Sequence, residues 1–140
     1  MNKITDEKEL QEKYLKYQTI EKQMQKINQQ IQEIDGKLLE LEFLKQSLAE
    51  LSNTKKGTEV LAPLSSGIFL KANLTDNEEL LVNVGKNTVV SKTVPQTIEL
   101  MDEQVKHVEE LRNQLIEQLQ NIGLQGQMLE NELKELTKNV

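Results

Sequence analysis

Few residues in this chain are equipped for covalent or metal chemistry. His107 is the single histidine, and there is no cysteine. That removes thiolate nucleophiles, disulfides and the usual histidine-pair metal sites. His107 stands beside Val108 and is ringed by Asp102, Glu103, Glu109 and Glu110. It reads as a solvated histidine on a helix surface. Gly85-Lys86-Asn87 resembles a fragment of a phosphate loop, but Leu80 occupies the required upstream glycine position and no helix follows. It is read as a hairpin turn. Asn73-Leu74-Thr75 matches a glycosylation sequon, and without a secretory signal it is read as chance. The many glutamates fall mostly off the apolar seam described below, as a solvated helix face would place them. No catalytic constellation survives, so the chain is expected to be neither an enzyme nor dependent on a metal or cofactor.

The charge balance narrows the partners. Formal net charge is −6, which is unsuited to neutralising phosphates. Aromatic content is 3%, with no tryptophan, so platforms for stacking on bases are absent too. No run of 18 apolar residues and no amino-terminal apolar core of a signal peptide occurs. A cytoplasmic protein with no nucleic-acid or membrane partner is expected. Hydrophobic residues are 36% of the chain, below the globular norm of roughly 45–50%. Adding the 6 glycines leaves the chain short, which favours an extended form over a sphere.

What could position any binding surface is a pair of heptad arrays. Tyr17, Ile20, Met24, Ile27, Ile31, Ile34, Leu38, Leu41 and Leu48 follow alternating spacings of three and four. Only Lys45 interrupts the series, and Leu44 beside it is expected to take over the seam. The pattern predicts a coiled-coil helix over 7–53, about 70 Å long at 1.5 Å per residue. Asp6 and Glu9 resemble a capping box at its start. Leu10 and Tyr14 read as slightly out of register. Asn53, Lys55, Lys56 and Gly57 make a plausible stop. Gly36, inside the helix, costs about 1 kcal/mol.

A second array runs through Ile98, Met101, Val105, Val108, Arg112, Leu115, Leu119, Ile122, Gly126, Leu129, Leu133, Leu136 and Val140. Arg112 and Gly126 are its only departures from apolar residues, and Leu111 is expected to substitute for Arg112. This predicts a helix over 95–139, opened by a Thr93/Gln96 capping box with Pro95 in the first turn. Two equal heptad helices joined by a compact unit should fold back as an antiparallel coil.

Between them, residues 57–94 change to a period of two. Runs around Val60 and Ile68 flank Ser65-Ser66-Gly67, and runs around Leu80 and Val89 flank Gly85-Lys86-Asn87. Two β-hairpins follow, linked by Thr75-Asp76-Asn77-Glu78. Val60, Leu61, Ile68, Phe69, Leu70, Leu81, Val82, Val84, Val89 and Val90 put apolar residues on both faces. Such a sheet needs cover on both sides, and so short a segment cannot cover itself. These ten are the candidate subunit interface. The fold class is therefore α+β, one domain with a long antiparallel two-helix coil and two central hairpins that act as an assembly platform.

The far helix ends are also apolar. Ile4, Leu10, Tyr14, Leu15 and Tyr17 lie at one, and Leu129, Leu133, Leu136 and Val140 at the other. Either they close the seam, or they present surface to other chains, since helix ends fray and a two-helix seam is open at its flanks. Leu15 and Leu124 stand off the seam and favour the second reading. Both readings remain open on the residues alone.

Gly57-Thr58-Glu59-Val60-Leu61-Ala62-Pro63-Leu64-Ser65-Ser66-Gly67-Ile68-Phe69, Leu81-Val82-Asn83-Val84-Gly85 and Val94-Pro95, set in a helix–two hairpins–helix layout, resemble the alpha class of the prefoldin family, archaeal in type. Two hairpins rather than one separate this class from the beta class. The resemblance implies a hexamer of two alpha and four beta subunits whose hairpins form a double β-barrel. It implies ATP-independent capture of unfolded proteins at the coil tips and transfer to a group II chaperonin. The tip residues above would be the client contacts. Rival readings are a structural or filament-forming coiled-coil scaffold without client transfer, and an adaptor for one folded partner.

Overall fold

The computed structural model describes the backbone of residues 3–138 and side chains from Asp6 to Lys138. Helix α1 (Lys3–Ser52) is followed by strands β1 (Glu59–Ser65), β2 (Ile68–Asn73), β3 (Glu79–Asn83) and β4 (Val89–Thr93), then helix α2 (Val94–Lys138). The expected α+β class is what the structure has: two long helices in coiled-coil pairing and two antiparallel hairpins. Contacts divide the chain into two units, Met1–Lys37 with Val108–Val140, and Leu38–His107.

In the first unit α1 and α2 run antiparallel, since Lys13 reaches Glu132 while Asp35 reaches Arg112. Ile27, Val108 and Leu129 are buried, and Ile20, Met24, Ile31, Ile34, Leu115, Leu119 and Ile122 are half-buried between them. The heptad seam is thus the core. Gly126 belongs to it because its backbone lies close to Ile20. A Cβ there would stand 3.2 Å from the Ile20 Cγ2.

Three expectations about this seam are overturned. Helix α1 is already helical at Lys3, so Asp6 sits inside its first turn, where a carboxylate favours the helix dipole, and does not cap it. Leu10 is in register, half-buried one heptad before Tyr17, and Lys13 occupies the seam position between them. Only Tyr14 stands out of line. Leu111 does not replace Arg112; it is 41% exposed and lines a shallow groove with Ile34 and Leu115. The Arg112 Nε donates to Asp35 Oδ1 at 2.6 Å.

The second unit repeats that correction. Lys45 keeps the seam position, half-buried, with its Nζ 2.6 Å from Asp102 Oδ1, while Leu44 faces outward. The physical reason is shared. A long cation lays its methylenes along the seam and carries its head to a carboxylate on the facing helix, so the backbone need not rotate to bring a neighbouring leucine in. Leu41, Leu48, Val94 and Met101 form the apolar core here.

Bonds between neighbouring residues tighten the ends of both helices in this unit. Helix α1 tightens as Asn53 N–H donates to Glu50 O and Thr54 N–H to Leu51 O. No cation lies in its last turn, so Lys55 and Lys56 sit past the dipole they were expected to face. At α2 the Thr93 N–H donates to Gln96 Oε1 at 3.0 Å, and the Gln96 N–H to Thr93 Oγ1 at 3.2 Å. This reciprocal capping box is the one expected. Buried Thr97 donates its hydroxyl to Thr93 O.

The strands form two separate two-stranded sheets, β1–β2 and β3–β4. Val60 pairs with Ala72 and Val82 with Val90, and a register shift between Pro63 and Ser65 marks a bulge. Gly67 turns the first hairpin with φ +80°, a conformation glycine takes without steric cost. In the second turn Lys86 and Asn87 both adopt positive φ. Gly85 N–H donates to Asn83 Oδ1 and Thr88 N–H to Gly85 O. These two amides are engaged within the hairpin, and a strand rather than a helix follows the loop.

Candidate functional site

At the far end of the first unit, an open cleft of about 470 Å³ lies between the helices. Leu10, Gln11 and Tyr14 line it from α1, and Glu130, Leu133, Lys134 and Thr137 from α2. The spacing explains the grouping. Residues three and four apart share a helix face, so Leu10 and Tyr14 stack on one wall and Leu133 and Thr137 on the other. Charges surround the apolar floor and are mostly tied to one another. Lys13 Nζ lies 3.1 Å from Glu132 and 3.3 Å from Glu9. Its ammonium is held above the ordinary lysine range, first by the bond to Glu132 and then by the bond to Glu9. Lys134 Nζ stands 3.7 Å from Glu130. The charge of Glu130 also raises the Tyr17 phenol above its ordinary range, with burial and Glu21 adding to it.

The structure sorts the candidate end residues. Leu10, Tyr14 and Leu133 come together in the cleft. Tyr14 and Leu15 are the exposed ones, at 55% and 61%. Tyr17 and Leu136 are half-buried. Leu129 is buried in the seam and offers almost no surface. The side chain of Ile4, and Val140, lie outside the described residues. Leu124 is exposed, as its off-seam position implied.

In the second unit the hairpins divide by face. Val60, Val82 and Val90 are half-buried. Leu61, Ile68, Phe69, Leu70, Leu81, Val84 and Val89 are exposed, with Leu81 the most open at 80%. Each two-stranded sheet also keeps unpaired edges. Such edges and faces are stable in water only when something covers or pairs with them.

Heptad spacing alone does not single out Leu39 and Phe43. They lie four apart on α1, both more than 70% exposed. Their distance from the heptad seam was the available signal. Both phenylalanines of the chain, Phe43 and Phe69, therefore face outward.

Among the described residues no cluster of three metal-ligating side chains exists, and His107 is exposed beside buried Val108. Among the described residues no helix is long and apolar enough to cross a membrane. An apolar side chain moved from water into such a cleft gains at most about 1.5–3 kcal/mol.

The family model described as "Prefoldin subunit" matches residues 20–139. The chain is 26% identical over 132 residues to "Prefoldin subunit alpha" of Archaeoglobus fulgidus, covering 93% of this chain and 95% of that protein. It is 30% identical over 101 residues to "Prefoldin subunit alpha 1" of Thermococcus kodakarensis, covering 72% and 69%. Among solved structures it is similar to a chain of filamentous PFD from Methanocaldococcus jannaschii. There the TM-score is 0.75 at 17% identity, over 83% of this chain and 96% of that one.

Proposed function

We propose that this chain, which belongs to the prefoldin family of chaperone subunits and is of the archaeal alpha type, is an ATP-independent holdase subunit. Unfolded polypeptides bind at the helix ends and pass to a group II chaperonin. The hairpins join those of other subunits in a β-barrel platform, two alpha with four beta subunits, in the cytoplasm. The observation that carries the client reading is the open apolar cleft of Leu10, Tyr14 and Leu133, with Leu15 exposed nearby in sequence. One such cleft is a weak site. Several on one platform raise the effective concentration for each further contact, giving capture without a deep pocket and release without ATP. The platform reading is supported by the exposed apolar faces and unpaired edges of the hairpins.

The test is suppression of aggregation of a denatured model protein. Tyr14→Ser combined with Leu15→Ser alters two exposed side chains, so folding and assembly should persist while protection falls. Deleting residues 1–9 and 133–140 should abolish protection and leave the oligomer intact. Undiminished protection in both would refute the client site.

A second reading is a filament-forming scaffold. The similar chain from M. jannaschii comes from a filamentous assembly, and open strand edges suit head-to-tail growth as well as closure. Native mass measurement with and without a beta-type partner separates the two. A closed mass supports the hexamer, and a ladder of masses supports the filament.

A further inference from the structure

The link between the hairpins is bonded to both helices. It is short and polar, Thr75-Asp76-Asn77-Glu78, and its side chains do more than turn the chain. Half-buried Asn77 donates from Nδ2 to Thr54 O at 2.9 Å and to Ser52 O at 3.4 Å. Ser52 ends α1 and Thr54 lies two residues past it, so the link is held where the chain leaves the helix and where helical acceptors go unsatisfied. One residue on, Glu78 O accepts from Val94 N–H at 3.1 Å, the first residue of α2. Asp76 holds the two ties in phase. Its Oδ1 accepts from the Glu78 and Glu79 N–H groups at 2.8 and 3.1 Å, a turn closed by its own side chain. Leu74 completes the block, its O accepting from Gly57 N–H and its N–H donating to Thr58 O.

We infer that Asn77 is a positioning residue: its carboxamide latches the inter-hairpin link to the end of α1 and so fixes the direction in which the helices leave the hairpins. The bonding supports this over simple end-capping. A cap needs a nearby side chain, and Thr54 Oγ1 already bonds Glu50 O while Ser52 Oγ bonds Leu48 O. Asn77 comes from more than twenty residues away. Its neighbour in the chain is tied to the other helix. A single rigid turn thus spans the end of α1 and the start of α2. Without the Asn77 donors, the link stays joined to α2 through Glu78 O but loses this side-chain tie to α1. The inference does not depend on client capture, and its test involves no client.

The chain has no cysteine, so pairs of introduced cysteines carry spin labels cleanly. Gln46→Cys with Lys71→Cys reports helix against hairpin, and Gln46→Cys with Glu103→Cys reports helix against helix; all three positions are exposed. In the full-length chain, Asn77→Ala should broaden the first distance distribution and leave the second as in the parent. Asn77→Asp keeps the size of the side chain, removes its donors and sets a carboxylate against the two carbonyl oxygens, so it should broaden the first distribution too. The inference is overturned if the first distribution is unchanged, if both broaden together, or if Asn77→Asp stays as narrow as the parent.

Discussion

Replacing single helical glycines by alanine tests how closely the helices approach. Gly36 and Gly126 both lie inside helices, where glycine costs about 1 kcal/mol against alanine. At Gly36 a Cβ would meet nothing within 4 Å. Gly36→Ala should therefore recover most of that, about 0.5–1 kcal/mol. Near the midpoint this is a rise in Tm of about 2–4 °C for a chain of this size. At Gly126 the same gain is opposed. The new methyl would stand 3.2 Å from Ile20 Cγ2, tighter than ordinary contact, and overpacking costs about 1–3 kcal/mol. Gly126→Ala should be neutral to destabilising by about 2 kcal/mol, with Tm at or below the parent. Thermal unfolding by circular dichroism at one protein concentration measures both, because assembly makes Tm concentration-dependent. If Gly126→Ala raises Tm as much as Gly36→Ala, the helices are farther apart at Ile20 than described. The spacing bears on the proposed client site because Glu130, one turn on, lines the cleft.

Arg112→Asp should lower Tm by setting two carboxylates together in the seam, and adding Asp35→Arg should restore most of the loss; failure of the swap to rescue would show that the pair does not set helix register. The Glu78 and then the Glu79 N–H bonds hold the Asp76 carboxyl below its ordinary range, opposed by slight desolvation and aided by Lys56. A lowered folded-state value favours the charged form in the native protein. Its stabilisation is complete above the ordinary carboxylate range and fades as pH falls through that range to the lowered value. The stability gap between parent and Asp76→Asn should therefore be widest near neutrality and shrink in acid, as followed by denaturant titration at several pH values.

The heptad spacings determined the two helices, because a periodic apolar stripe has one economical way to leave water. The period-two runs and their turn residues determined two hairpins, since Gly67 and Gly85 with Asn87 suit the backbone those turns require. Thr93 and Gln96 revealed the start of α2 through local bonding alone. Leu10, Tyr14 and Leu15 were nameable as apolar end residues, but which of the end residues faces solvent was not legible. Spacing assigns a face, while the approach of the partner helix decides how far each side chain on it is covered. Hence Leu129 lies buried and Tyr14 lines a cleft.

The polar seam positions show the same limit. Read along the chain, Lys45 and Arg112 were interruptions that Leu44 and Leu111 should repair. Only the facing helix supplied Asp102 and Asp35, and an ion pair across the seam has no signature within either segment. The Asn77 latch joins residues too distant in sequence for any local pattern to announce. Local chemistry and periodicity therefore determined the elements. Contacts between residues far apart in the chain decided which apolar groups remain open to bind, and only folding brings those residues together.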